Sequence, residues 1–231
     1  MPPEPAQNLR LIKTADGSCT LQNAALKETY HSRFGAITES VDVFIKNSGV
    51  GERLENGHPT RVLEIGFGAG LNFILTAGRA DQHRSPLYYE ALEFALPPLP
   101  LLIELLQRNT PDHQALIDDL QQSLRSTKTN DILNIGQYTQ LNLRQENAFE
   151  ATFDHCTFDA VYLDAFSSKN NPNLWSTEFL HHLHQTLKRN GILATYSVNR
   201  AFRDSRTDAG FLWEKRKGPP GKREVVIAYP K

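Results

Sequence analysis

Several features are scarce in this 231-residue chain, and each scarcity excludes something. Cysteine is nearly absent: Cys19 and Cys156 have no metal-ligand spacing and no partner motif, which fits buried or free thiols in a reducing cytoplasm. No apolar run reaches the length of a membrane span. The start, Met1-Pro2-Pro3-Glu4-Pro5, has neither a basic segment nor an apolar core, so no signal peptide is expected. Neither sign of charge is in excess: 25 Lys and Arg against 26 Asp and Glu give a net charge of -1. That argues against a general nucleic-acid binder and leaves any RNA partner dependent on a local basic patch. Internal repeats and low-complexity segments are missing. His181, His182 and His184 stand without H-E-x-x-H or a carboxylate at metal spacing. They read as surface or packing residues, and no metal is expected.

What is present is a globular composition, 39% hydrophobic and 22% charged, long enough for one domain with a full core. The chain is organised around Arg61-Val62-Leu63-Glu64-Ile65-Gly66-Phe67-Gly68-Ala69-Gly70-Leu71. Val62, Leu63 and Ile65 suit a buried parallel strand, and Leu71 to Thr76 read as the first turns of a helix. The glycines between let the backbone take positive φ and let a ligand approach closely. A dinucleotide fingerprint, G-x-G-x-x-G, would need glycine where Leu71 stands. The pattern is instead G-x-G-x-G with Glu64 two residues before it, which resembles motif I of class I S-adenosylmethionine (SAM) methyltransferases.

Before this stretch, residues 1–60 read as a β-rich extension, with Leu9–Thr14 and Cys19–Gln22 forming a hairpin over Asp16-Gly17. Glu28–Ser40 reads as a polar and aromatic loop near the site. Val41–Asn47 reads as the opening of a helix, and Glu52–Pro59 as a turn. After it, Leu87–Phe94 is a second strand, and residues 97–126 carry two helical stretches that form either a lid or extra packing. Leu141–Gln145, Phe158–Phe166 and Gly191–Ser197 are further strands. A helix capped by Ser176 or Thr177 is expected to run to about Arg189, with Asn190-Gly191 as its stop. Gly210–Arg216 and Lys222–Ala228 form a closing antiparallel pair.

In an open α/β sheet, ligands bind beyond the carboxyl ends of the strands. Gly66, Gly68, Gly70, Glu93, Asn147 and Asp164 all fall at such ends. Glu93, with Glu90 in reserve, is the acid placed to accept hydrogen bonds from a ribose diol. Asn147 stands where SAM enzymes commonly meet the adenine amine. Asp164 leaves an apolar strand toward the cleft, with Phe166 beside it to stack on a base or face a sulfonium. Tyr30, His31 and Glu39 either close over the site or lie on a solvated loop. A late basic cluster, Arg200, Arg203, Arg206, Lys215, Arg216, Lys217, Lys222 and Arg223, is either a phosphate-contacting patch or a solvated face.

The segments YHSRFGAITES (30–40), LEIGFGAGLNF (63–73), LDAFSSKNNPNLW (163–175), GILATYS (191–197) and KRKGPPGKRE (215–224) together resemble the methyltransferase part of MnmC, the enzyme forming 5-methylaminomethyl-2-thiouridine in tRNA. The resemblance implies a Rossmann-like α/β fold: a mostly parallel seven-stranded sheet with helices on both faces. Residues 61–231 would be the methyltransferase domain, with 1–60 packed on it. It implies SAM as cosubstrate, tRNA as partner, and N-methylation of a 5-aminomethyl group on the wobble uridine. Asp164 and Phe166 would be catalytic. Glu64 and the glycines would hold SAM. Lys169, Trp175 and Arg223 would join Tyr30, His31 and Glu39 on the substrate. The chain departs from the family at Ala165, where Gly is usual, in Lys169 to Trp175, which has an extra residue and Asn173 for Asp, and at Asn147, where Asp is usual. No FAD is expected, so a separate oxidase or other enzyme would supply the aminomethyl precursor. A SAM enzyme for a small amine or a protein, a non-catalytic SAM-fold module and an aminopropyltransferase are the competing readings.

Overall fold

The computed structural model describes residues 8–126, 131–198, 200–221 and 223–231, with the backbone alone for 200–203. The chain begins with β1 (Leu9–Lys13) and β2 (Cys19–Asn23), the expected hairpin, turning at Gly17 with φ +90°. A two-residue strand, β3 (Glu28–Thr29), adds to β2 and makes a small antiparallel sheet. It is too short for any alternation to announce it. α1 (Ala36–Glu39) runs into a π-helical segment, Ser40–Lys46, and then α2 (Val50–Glu55). The expected turn over Glu52–Pro59 is therefore part helix. Val50, Gly51 and Leu54 are buried while Glu52 and Glu55 face solvent, so the segment's polarity is one face of an amphipathic turn.

β4 (Thr60–Ile65) and α3 (Leu71–His83) carry the glycine stretch between them. β5 (Leu87–Leu92), α4 (Leu99–Asn109), α5 (Gln114–Ser126), β6 (Ile132–Ile135), β7 (Thr139–Arg144) and β8 (Phe158–Leu163) follow. Last come α6 (Thr177–Thr186), β9 (Leu187–Thr195), α7 (Arg200–Asp208), β10 (Phe211–Lys217) and β11 (Glu224–Pro230). The main sheet has the order β10-β11-β9-β8-β4-β5-β7-β6. β7, β5, β4, β8 and β9 are parallel, and the remaining strands are antiparallel. This is the expected Rossmann-like fold with an eighth strand. β6 buries only Leu133 and Ile135, too weak a signal to read in advance.

Alternation along the central strands sets the two faces. Val62, Tyr89, Ala160 and Tyr162 pack with α3, α4 and α5; Leu63, Ile65, Val161 and Leu163 pack with α6 on the other side. β8 is buried at every position, as a central parallel strand must be. The insertion packs on the core: Leu102, Leu105, Leu106, Leu116, Ile117 and Leu120 share the core of α3. Asn109 at the end of α4 accepts from the Cys19 N–H (2.7 Å) and donates to the Cys19 carbonyl (2.8 Å), tying the N-terminal sheet to the core.

The helix starting at Ser176 is capped as expected, the Ser176 hydroxyl accepting from the Phe179 N–H at 3.2 Å. It ends at Thr186, however, and Lys188–Gly191 belong to β9 rather than to a helix terminus. Leu187 pairs with Phe158, and Lys188 Nζ reaches Asp159 at 2.9 Å. Pairing with β8 wins over helix propensity here, and Gly191 sits in the resulting irregularity, where a Cβ would lie 2.9 Å from the Phe158 carbonyl.

Candidate active site

Chain order reverses at β4, which has β5 on one side and β8 on the other. Such a point leaves a crevice beyond the carboxyl ends of the strands. Here it is a cleft of about 870 Å³, floored by Ile65 to Gly68 and walled by Glu93, by Asn147 and by Asp164 to Ser167. Residues of the N-terminal extension, including Glu28, Tyr30, His31 and Glu39, form its far wall.

The floor needs glycine where β4 meets α3. Gly66 has φ +92°, and a Cβ there would lie 2.8 Å from the Asp164 carbonyl, so only glycine lets the loop pass the β8 exit. Gly68 brings its N–H to Glu93 Oε2 at 2.9 Å, while Ala95 N–H reaches Oε1 at 3.0 Å. Burial raises the affinity of the Glu93 carboxylate for a proton, and the N–H bonds from the loop pull the other way. Glu90, the reserve, instead pairs with Arg144 at 2.6 Å on the strand and does not line the cleft. Gly70 also lies outside the lining: it starts α3 above the Phe67 ring, where a Cβ would approach to 2.8 Å.

Glu64 is not at the cleft surface either. It is fully buried on the α3 face of β4, accepting from Asn72 Nδ2 (2.8 Å) and from the Tyr89 hydroxyl (2.9 Å). Burial pushes its carboxyl up to about 8, against the two hydrogen bonds. The same Asn72 amide donates to Asp164 Oδ2 at 2.8 Å. The one amide thus bridges the two carboxyls, Glu64 and Asp164.

Asp164 N–H continues the β4 ladder by donating to the Ile65 carbonyl (2.9 Å), which places the side chain at the rim. Phe166 follows, its ring edge-on to Tyr30 with centroids 5.1 Å apart. Trp175 is buried behind it, and its indole N–H donates to the Phe166 carbonyl at 2.9 Å. Tyr196 OH donates to the Ala165 carbonyl at 2.9 Å. Trp175 therefore supports the exit loop rather than lining the cleft.

Other expected residues divide. Asn147 lines the cleft and also caps its own turn, donating to Glu150 (2.9 Å) and accepting from the Phe149 N–H (3.2 Å). His31 and Glu39 are buried wall residues rather than parts of a solvated loop; the His31 N–H donates to Thr20 Oγ1 (2.9 Å), and Glu39 accepts from the Ser32 N–H (2.7 Å). Lys169 and Arg223 are exposed and do not line the cleft. The basic cluster is paired in part. Arg206 is buried over the Trp213 ring at 4.1 Å, Lys215 pairs with Glu224 (2.5 Å), and Arg216 pairs with Glu214 (2.7 Å). The side chains of Arg200 and Arg203, and Lys222 entirely, lie outside the described residues. The three helix histidines pack against rings: His182 against Phe153 and Phe179, His184 against Phe211, and His181 against His184. Among the described residues, no group of three or more His, Cys, Asp or Glu could hold a metal ion, and no helix is long and apolar enough to cross a membrane.

Sequence reasoning missed Asn72, Tyr196 and Glu28. Asn72 was reachable, because it lies in the first turn of the helix that the glycines open. Nothing local marks Tyr196 or Glu28, since their roles depend on which loop the tertiary fold brings near.

Glu28, Glu39, Glu93, Glu146 and Asp164 all line the cleft, with Lys27 and Arg33 among its few cations. A wall of carboxylates favours a cationic ligand. It suits a sulfonium and an α-amino group, while the Gly68 approach and the half-buried Glu93 carboxylate suit a ribose. The residues present therefore fit SAM.

A sequence model of S-adenosyl-L-methionine-dependent methyltransferases matches residues 111–231. The tRNA 5-methylaminomethyl-2-thiouridine biosynthesis bifunctional protein MnmC of Aromatoleum aromaticum is 33% identical over 239 residues, covering 97% of this chain and 35% of the relative. The chain spans about a third of the length of such curated relatives. The crystal structure of MnmC2 from Aquifex aeolicus aligns with a TM-score of 0.76 and 26% identity, covering 97% of this chain and 71% of that one. Spermidine synthase from Thermotoga maritima, at a TM-score of 0.55 and 14% identity over 96% of this chain and 68% of its own, shares the fold alone. The glycine loop, the strand-exit acids and the match over the C-terminal half agree: the chain belongs to the S-adenosyl-L-methionine-dependent methyltransferase family.

Proposed function

We propose that this enzyme methylates the amine of a 5-aminomethyl uridine, or its 2-thio form, at the tRNA wobble position. The observation that carries the reading is Asp164, a rim carboxylate fixed by the Asn72 amide beside Phe166. SAM, when bound, supplies an electrophilic methyl on a sulfonium. Glu93 would accept from its ribose hydroxyls, and Asn147 would meet its adenine edge. Catalysis of such an in-line displacement is mainly alignment. An amine attacks only when neutral, and a carboxylate beside it favours the ammonium form. Asp164 therefore does not activate the amine by lowering its pKa. It orients the N–H bonds and stabilises the cation that develops as the N–C bond forms.

The names of the MnmC relatives support tRNA as the acceptor. So does the rim, where Arg33 and Lys27 line the mouth and the exposed Phe34 ring rests on Gly221 of the β10–β11 turn. In this reading the aminomethyl precursor comes from another activity, such as a separate FAD-dependent oxidase, and the reaction is cytoplasmic. The acidic cleft favours a second reading, a small cationic amine as acceptor, because carboxylates repel phosphate.

Labelled SAM offered to tRNA lacking the modification decides between them. The expected product is labelled 5-methylaminomethyl nucleoside, with Asp164→Ala at least about 10²-fold slower while still binding SAM. Label found only in a polyamine, with none in tRNA, would replace the first reading with the second.

A further inference from the structure

We propose that Glu28, on β3, is a positioning residue for the loop that carries Asp164 and Phe166, so that the N-terminal sheet is a working part of the active centre. This rests on the methyltransferase reading above. Three donors from that loop converge on the Glu28 carboxylate: the Ser167 N–H at 3.1 Å, the Ser167 hydroxyl, and Asn170 Nδ2 at 2.5 Å. Ile65, Asn72, Tyr196 and Trp175 hold residues 164–166, and the Leu26 carbonyl accepts from Asn170 Nδ2 at 3.3 Å beside the Glu28 bond. Glu28 holds Ser167 and Asn170 from across the cleft. Two residues later the same segment delivers Tyr30 to the edge of Phe166.

The chemistry of the clamp is specific. An ionised carboxylate only accepts, and has lone pairs enough for three donors. Bonds to it are charge-assisted and about twice as strong as neutral ones. Glutamine has the same shape but turns an NH₂ group toward donors, so Glu28→Gln should leave the fold standing and loosen the loop. A misplacement of about 1 Å at a reacting group costs on the order of 10² in rate.

The test is Glu28→Gln in the full chain. The expected result is a kcat for methyl transfer about 10²-fold lower. A second readout needs no acceptor. The chain has two tryptophans, so Trp213→Phe, which keeps a ring under Arg206, leaves Trp175 as the reporter on the Phe166 carbonyl. Its emission should shift when Glu28→Gln is added. If wild type methylates no tRNA, the acceptor reading fails while a shifted Trp175 emission still upholds the clamp. Should Glu28→Gln not fold, Asn170→Ala, which removes one of the three bonds to Glu28 together with a 3.3 Å bond to the Leu26 carbonyl, should give a smaller loss of the same kind. Unchanged turnover and unchanged Trp175 emission in the variant that folds overturn the proposal.

Discussion

At the scale of single residues, the site depends on how buried carboxyls are shared. Asn72 has one amide NH₂ and serves two of them, Glu64 and Asp164. Glu64 has a second donor in Tyr89. Tyr89→Phe would remove that donor while leaving the ring contacts with Phe73 and Tyr162. Stripping one partner from a buried polar group costs about 1–3 kcal/mol. Urea unfolding of the variant should show a loss in that range, with methyl transfer affected less than by Asp164→Ala. Glu64 itself shows why a motif letter is not a contact. Its position before the glycines was legible, and that position put it on a strand. Which face of the strand it occupies follows from alternation, and that face is α3 rather than the ligand.

Elements set the next level. The loop from β4 to α3 and the exit of β8 meet at one point, where Gly66 passes the Asp164 carbonyl. A Gly66→Ala enzyme would carry left-handed backbone strain of about 1–2 kcal/mol and a Cβ inside van der Waals range of that carbonyl. We expect a lowered melting temperature together with weakened SAM binding by calorimetry, since floor and rim move together; unchanged SAM affinity would show the loop tolerates the methyl. Long elements with strong patterns were legible: the β1–β2 hairpin, β4 with α3, β5, β8 and the β10–β11 pair. β3, α2, β6 and α7 were not. β3 has two residues, α2 hides its apolar face among charges, and β6 buries two side chains. α7 showed only its arginines, one of which is buried on Trp213. The end of α6 was misread because Leu187 to Gly191 favour a helix terminus locally and a β8 partner globally.

At the scale of the whole molecule, two carboxyls set opposite slopes in stability against pH. Asp16 joins the first hairpin turn to α1 through Thr38. Burial raises its pKa, but hydrogen bonds from Ser18, Thr14 and Thr38 outweigh that and leave it at about 2, below the usual 3.8. Its contribution is present above the unfolded value and is lost as pH falls through about 2. Glu64 runs the other way. Its folded value of about 8 exceeds the unfolded 4.5, so the native state holds a proton that the unfolded chain releases. Stability from this group is whole below 4.5 and declines as pH rises through about 8. Melting temperatures across this range should fall toward pH 8 in wild type and stay flatter in Glu64→Gln. An identical slope in both would show that Glu64 ionises without cost.

The sequence alone determined the parallel sheet, the glycine turn under a SAM-type ligand and the acids at the strand exits, because each is a local pattern of apolar period or backbone freedom. Tertiary structure decided the rest. It turned Glu64 and Trp175 from contacts into supports, paired Lys215 and Arg216 with glutamates and buried Arg206, and folded the N-terminal sheet across the cleft so that Glu28 meets the β8 exit. Those outcomes depend on residues up to 142 positions apart, and no local pattern records which distant donor a carboxylate will meet.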